Sequence, residues 1–345
     1  MMQQSLIVGF GRAGRDLHLR CLEKAYADNI DANLFDQRVG VVDPYLSPSD
    51  IKNENLFFFS TLSEVTGFDP ASTVVHICTP PDLHTETLKQ VAELGFTKCL
   101  IEKPLATTRA ELKTIHEIQH QFGIDLIVVA NWLASSLTTK LIEIIKKKEY
   151  GPLLHITAEQ NKARLSRTLA NPNHGNAFDV EIPHLVALAL CLGGSDVNVL
   201  TGETAHMLIG NRIFPHMGKA RITLLHKSGV TSDLISNLET PVRQRCIKLY
   251  FKEHQVFGYY PCSQDDSYSW LNIYTTCGRF LSQQVMYDDP LSNAFTEYYK
   301  YFDGLIKKPV SDLEFNARVV TAICEAKSKS GLILDEEDIE HEVIV

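Results

Sequence analysis

The chain has 345 residues, 44% of them hydrophobic and 22% charged, enough for two domains with cores of their own and, by composition, an ordinary soluble globular protein. A formal net charge of −9, with no basic cluster denser than Lys146-Lys147-Lys148, argues against nucleic acid or an anionic membrane as the main partner. No run approaches the ~20 apolar residues of a membrane span, the N-terminus lacks the pattern of a signal peptide, and the eight cysteines are scattered with neither metal-ligand spacing nor a disulfide framework, so a cytoplasmic protein with reduced thiols and no metal is expected.

The first 150 residues alternate short apolar runs with helical patterns. Leu6 to Phe10, Val39 to Asp43, Val74 to Cys78, Lys98 to Ile101 and Leu126 to Ala130 lack strict polar alternation, as strands buried on both faces do. Helical patterns over Ala13 to Ala27, His84 to Glu93 and Arg109 to Gln121 lie between them. Such alternation implies crossover connections and a doubly wound parallel sheet. From Gly151 the pattern changes. An amphipathic segment over Glu181 to Cys191 ends at Gly193-Gly194, alternating stretches such as Ala220 to His226 and Gln244 to Phe251 follow, and helices are expected over Asn293 to Ile306 and Glu314 to Lys329. The fold expected is therefore a Rossmann domain over 1–131 and an α+β domain with a large, mostly antiparallel open sheet over 132–345. The acidic end, Asp335 to Glu342, reads as a solvated face.

The first strand runs into Gly9-Phe10-Gly11-Arg12-Ala13-Gly14 and a helix, a GxGxxG pattern in its required strand–turn–helix context. The first glycine permits the tight turn, the second lets a pyrophosphate approach the backbone, and the third lets helix and strand pack closely. The helix N-terminus supplies unpaired N–H groups and partial positive charge to the phosphates. Asp43 ends the second strand, where a carboxylate can accept hydrogen bonds from the ribose hydroxyls and repel a 2′-phosphate, so NAD is expected over NADP. The usual interval is ~20 residues, whereas Asp43 stands 29 positions after Gly14; an insertion around Ala27 to Asp36 is assumed, with Asp36 placed before the strand as the competing acid.

The third strand ends in Cys78-Thr79-Pro80-Pro81-Asp82-Leu83-His84, where two prolines stop the strand and hold the chain extended over the cofactor crevice. One strand later comes Glu102-Lys103-Pro104-Leu105-Ala106, and then an apolar strand ending in Asn131. The order GFGRAG, VVDP, CTPPDLH, EKPLA and Asn131 resembles the Gfo/Idh/MocA family of nicotinamide-dependent oxidoreductases. That resemblance implies that the cofactor is held by the glycine loop with Asp43, by Thr79, Pro80, Pro81 and His84, and by Glu102, Lys103 and Asn131. It also implies that Lys103 lies beside the nicotinamide and hydrogen-bonds the substrate oxygen, stabilising charge that develops in the transition state.

The family resemblance further implies a histidine on the first helix of the second domain, with an aspartate four residues before it. Here His184 is the counterpart, but Asp179 lies five residues before it and Glu181 three. Pro183 explains the break, because proline can begin a helix but not continue one through its middle. His184 is expected to act as base, with Asp179 as partner or substrate ligand and Glu181 as the alternative. Where the family continues past Asn131 toward an arginine or tyrosine, this chain has Trp132, a change expected to alter the substrate pocket. Lys162, Arg164 and Arg167, near His174, could meet an anionic substrate group or form a solvated loop, while Trp270 and Tyr274 read as sheet packing ahead of the alternative, pocket aromatics. The expected activity is an NAD-dependent dehydrogenase of a sugar, sugar phosphate or cyclitol, and the family resemblance implies a homodimer or homotetramer. A ketosugar reductase or a non-catalytic NAD- and sugar-binding regulator are the alternatives.

Overall fold

A computed structural model describes residues 2–29, 34–46, 54–170, 175–263 and 266–332; His174 and the acidic end lie outside them. The chain divides into two compact units, Met1–Asn131 with Leu291–Ala317, and Trp132–Pro290 with Arg318–Val345. Among the described residues no helix is long and apolar enough to cross a membrane.

The first unit is built on six parallel strands: β1 (Gln3–Val8), β2 (Phe35–Val42), β3 (Leu56–Phe59), β4 (Thr73–Ile77), β5 (Lys98–Ile101) and β6 (Asp125–Val128). Their order, β3-β2-β1-β4-β5-β6, reverses between β1 and β4, and ligands of such sheets bind outside the carboxyl ends of the strands at that point. β1 and β4 are buried along their whole length, as expected of strands covered on both faces. The helices follow from local chemistry. In α3 (Arg109–Phe122) the Thr108 side chain accepts from the Glu111 N–H, Glu111 reaches back to the cap, and Gly123 ends the helix in the left-handed region. The returning helix α7 (Pro290–Phe302) buries Phe295, Tyr298, Tyr299 and Phe302, an i, i+3, i+4, i+7 stripe; Tyr299 lies against Phe35 of β2 at 4.4 Å between ring centroids.

Three details differ from the sequence reading. The edge strand β3 was not expected; its Leu-Phe-Phe-Phe run is only four residues long, too short for a periodic signal. Asp36 stands inside β2 and pairs with Arg38 at 2.9 Å, at the end of the strand opposite Asp43. The long interval from Gly14 to Asp43 is taken up largely by regular structure: the first helix reaches Asp28 and β2 has eight residues.

The second unit carries an eight-stranded sheet of β7 (Leu153–Asn161), β8 (Val197–Ile209), β9 (Arg212–His226), β10 (Thr231–Asn237), β11 (Gln244–Phe251), β12 (His254–Tyr259), β13 (Tyr268–Thr275) and β14 (Phe280–Tyr287). The order is β14-β13-β12-β11-β7-β10-β9-β8, antiparallel except for β7 beside β10. Burial alternates along β7 and β10, the pattern of a sheet with one covered face. Close approaches to helices occur at glycines. A Cβ on Gly258 of β12 would press on Leu137 of α4 (Ser136–Lys147), and one on Gly202 of β8 would fall on the Ala326 carbonyl of α8 (Leu313–Lys329).

Helix α6 (Ile182–Gly193) is buried on nearly all sides. The turn before it, Ala177–Asp179, is capped by Asn176 and tied to α8 by an ion pair of 2.7 Å between Asp179 and Lys327, whose side chains are 8% and 2% exposed. Removing one partner of such a pair strands a buried charge, at a cost of ~3–5 kcal/mol, whereas removing both can be nearly neutral. Lys327→Met is therefore expected to lower stability in urea denaturation by about 3 kcal/mol, and Lys327→Met with Asp179→Leu to recover most of that loss. Equal loss in the single and double variants would contradict the account.

Candidate functional site

The glycine loop meets the steric requirements read from the sequence. Gly9 has φ +90° and packs against Cys78 and Thr79, where a Cβ would lie 2.9 Å from the backbone, so a side chain there is excluded. A Cβ on Gly14 would fall on the Gly9 carbonyl, whereas one on Gly11 would meet nothing within 4 Å. Gly11 and Arg12 are exposed while Phe10 is buried, Phe10 packing edge-on against Phe58. The helix that follows begins with π winding over Arg12–Leu19 and continues as α1 (Arg20–Asp28), with no acidic residue in its first turn. Open space over Gly11, an exposed arginine and a helix N-terminus without an acid form a cradle whose chemistry matches a pyrophosphate. Ala13 is half-buried in the first turn.

Asp43 has a second task not foreseen from sequence. Its carboxylate accepts from the Phe10 N–H at 2.7 Å and from the Tyr45 N–H at 2.9 Å, fastening the glycine loop to the end of β2. Two N–H groups do not exhaust a carboxylate's acceptor sites, and the residue is half-exposed, so hydroxyls can still be accepted.

The next two loops are joined to this one at the same edge of the sheet. His84, at the start of α2 (His84–Glu93), is buried with Nε2 3.1 Å from the Thr79 carbonyl and Nδ1 3.3 Å from that of Leu105. Burial pulls its pKa below the usual imidazole value. It braces one loop against the other, while Pro80 is exposed and Pro81 half-exposed. Glu102 anchors the second loop: its backbone N–H donates to the Ile77 carbonyl at 3.0 Å. Its Oε2 accepts from the Lys103 N–H at 3.1 Å and its Oε1 lies 2.8 Å from His18 Nε2. Lys103, half-buried, precedes Pro104 across a cis bond. Asn131 follows β6 in a short turn, and its buried Oδ1 has no hydrogen-bond partner among the described residues. An unsatisfied buried amide oxygen is a place for a ligand donor. The residues of this unit fit a dinucleotide.

In the second unit Trp132 is buried between two rings, stacked on His184 at 5.4 Å and 9° and on Tyr260 at 4.8 Å and 24°, with the Arg245 guanidinium 5.9 Å over it. Burial holds the Tyr260 phenol protonated, and it hydrogen-bonds Thr138 at 2.8 Å. His184 is the third residue of α6, and it and Cys191 are the only members of that helix that are not buried. Pro183 stands second, so Asp179 belongs to the preceding turn and the expected helical spacing does not apply. The Asp179 carboxylate meets Lys327 and Asn176. Glu181 accepts from Gln160 and pairs with Lys162 at 3.2 Å. Arg164 precedes α5 (Leu165–Ala170), where Arg167 lies, and its backbone N–H donates to the Leu238 carbonyl at 2.8 Å. Trp270, paired in the sheet with Tyr259 and Val285, stands 49% exposed; Tyr274 packs against Phe257 at 4.9 Å. No group of three or more His, Cys, Asp or Glu among the described residues could hold a metal ion.

Sequence reasoning missed His18, His76, Tyr260 and Tyr299. His76 did carry a signal, a polar residue in the middle of an otherwise apolar strand.

Comparison with known structures agrees with this architecture. KijD10, a 3-ketoreductase from Actinomadura kijaniata solved with NADP and TDP-benzene, superposes with a TM-score of 0.77 at 12% identity, over 95% of this chain and 98% of its own. An oxidoreductase from Agrobacterium radiobacter, solved with NAD+, L-tartaric acid and magnesium, superposes with a TM-score of 0.71 at 14% identity, over 96% and 97%. Identities this low speak for the fold alone. No curated protein matches the chain. Residues 4–128 match the model of the Gfo/Idh/MocA oxidoreductase family, an NAD-binding Rossmann fold, and over these residues the chain is similar to that family.

Proposed function

We propose that the protein is an NAD-dependent dehydrogenase that oxidises a secondary hydroxyl of a sugar, sugar phosphate or cyclitol. The observation that carries this reading is the convergence of three loops on the carboxyl ends of β1, β4 and β5, with Lys103 fastened to Glu102 beside the glycine loop. Bound NAD supplies the hydride acceptor. In this reading the Lys103 ammonium holds the substrate oxygen and stabilises the negative charge that builds on it, and His184 takes the hydroxyl proton, its ring orientation set by the stack on Trp132. Trp132 and Arg164 contribute to substrate selection, and Asp179, paired with Lys327, fixes the turn from which α6 starts. Asp43 favours NAD because its charge opposes a 2′-phosphate.

The sheet face of the second unit supports assembly of two or more copies. Strand β14 is exposed along nearly its whole length, and Tyr268, Trp270, Val285 and Tyr287 are 52%, 49%, 51% and 55% exposed. Apolar surface of this kind on adjoining strands marks a protein contact, and we assign it to a second copy of the chain.

Purified protein assayed with NAD and NADP against a panel of sugars, sugar phosphates and inositols is expected to turn over with NAD in preference to NADP. Lys103→Ala should lose ~10²–10³ in turnover, the scale of one preorganised charge-stabilising donor, while NAD binding is retained by calorimetry. NAD binding without turnover across the panel would instead support the regulator. Light scattering should report a dimer or tetramer, shifted toward monomer by Trp270→Asp; a monomeric wild type at micromolar concentration would remove the assembly proposal.

A further inference from the structure

Behind the Lys103 loop, inside the first unit, lies a continuous run of buried polar side chains. Glu102 Oε1 is 2.8 Å from His18 Nε2, His18 Nδ1 is 2.9 Å from His76 Nδ1, His76 Nε2 is 2.8 Å from the Tyr299 hydroxyl, and that hydroxyl is 2.5 Å from Ser5 Oγ. His18, His76 and Tyr299 are 0% exposed and Ser5 1%. The π-helix, β4, α7, β1 and the Lys103 loop each contribute one member.

With both rings neutral, counting hydrogens sets the direction of the run. The contact between the two Nδ1 atoms holds a single hydrogen, because two would collide and none would leave two lone pairs facing each other. His76 is the ring that stays neutral: burial lowers its pKa far below the usual imidazole value. The Lys103 N–H can only donate, so Glu102 receives it on Oε2, and a carboxylate on Glu102 requires hydrogen on His18 Nε2. A neutral His18 then accepts at Nδ1 from His76 Nδ1–H, His76 Nε2 accepts from Tyr299, and Tyr299 accepts from Ser5. Every member is satisfied and every bond points toward the carboxylate. A run of this kind is cooperative, each bond polarising the next.

We propose that Ser5, Tyr299, His76 and His18 form a one-way hydrogen-bond relay that holds the Glu102 carboxylate in place and, through it, the backbone of Lys103, so that His18 and His76 are positioning residues for that lysine. The catalytic consequence rests on the reading of Lys103 given above; the relay itself does not. Phenylalanine at position 76 keeps the ring's packing against Phe295, 5.2 Å away between centroids, but leaves His18 Nδ1 without a donor and free to take the other tautomer, which turns a lone pair toward Glu102. Phenylalanine at position 299 removes only the outer half of the run and leaves the link from His18 to Glu102.

Two measurements on the full chain test this without a substrate. Nitrogen-15 spectra of the wild type at neutral pH should show His18 protonated on Nε2 alone and His76 on Nδ1 alone; an imidazolium at His18, or His76 protonated on Nε2, overturns the direction of the relay. Residue-resolved amide exchange should be roughly tenfold faster at Lys103 in His76→Phe, less than about threefold faster in Tyr299→Phe, and unchanged in β1 and β5 in both. Uniform acceleration across the sheet, or none at Lys103, overturns the positioning role. Where the panel yields a substrate, His76→Phe should lower kcat about tenfold with KM unchanged. If the exchange result holds and no substrate turns over, the relay stands and the dehydrogenase reading falls.

Discussion

The Glu102 carboxylate is the contact on which the arrangement of the first unit turns. One oxygen takes the backbone N–H of Lys103 and the other faces a buried imidazole, so a single charged side chain ties the loop after β5 to the helix after β1. Charge-assisted bonds of this type are about twice as strong as neutral ones and more directional. Burial raises their stakes in both directions, since an unsatisfied partner in this environment would be costly. The same carboxylate, with burial as the larger cause, keeps the nearby Cys78 thiol protonated, so the sulfur beside the glycine loop is inert packing rather than a nucleophile.

The glycine loop is held from the opposite side by a second carboxylate. Asp43 binds the Phe10 N–H, and the close approaches at Gly9 and Gly14 allow the loop to lie directly on Cys78, Thr79 and the end of β1. The π winding over Arg12–Leu19 sits between these two anchors. It buries Gly14, His18 and Leu19 on the side facing the sheet, and such winding within helices is rare and recurs at functional sites. Acid at both ends, glycine at the turn and an irregular helix between them make one mechanical unit. In the second unit the comparable constraint is the stack of His184, Trp132 and Tyr260, in which ring packing holds an imidazole.

Much of the first unit was legible in the sequence because its signals are local. Buried parallel strands appear as unbroken apolar runs, the helix over Arg109–Phe122 shows in its helical pattern, and Gly9 and Gly14 have steric duties that no other residue meets. β3 and the extent of β2 were not legible, because a four-residue edge strand and a strand with exposed charges at its start carry little periodicity. The relay was invisible for a different reason. Ser5, His18, His76, Glu102 and Tyr299 are far apart in the chain, and only the folded sheet brings them into line; an isolated histidine in an apolar strand says that a partner exists without saying where. The pairing of Asp179 with Lys327 across 148 residues was hidden in the same way, whereas the break in spacing before His184 goes with Pro183, which stands second in α6.

The central claim is that the Lys103 ammonium borders the bound cofactor. Competitive acetylation of the full chain, with and without saturating NAD and read lysine by lysine by mass spectrometry, measures this directly and needs no substrate. The account predicts that NAD alone protects Lys103 while the exposed Lys146 and Lys147 react at unchanged rates. Equal labelling of Lys103 in the two conditions, with NAD bound, would contradict it.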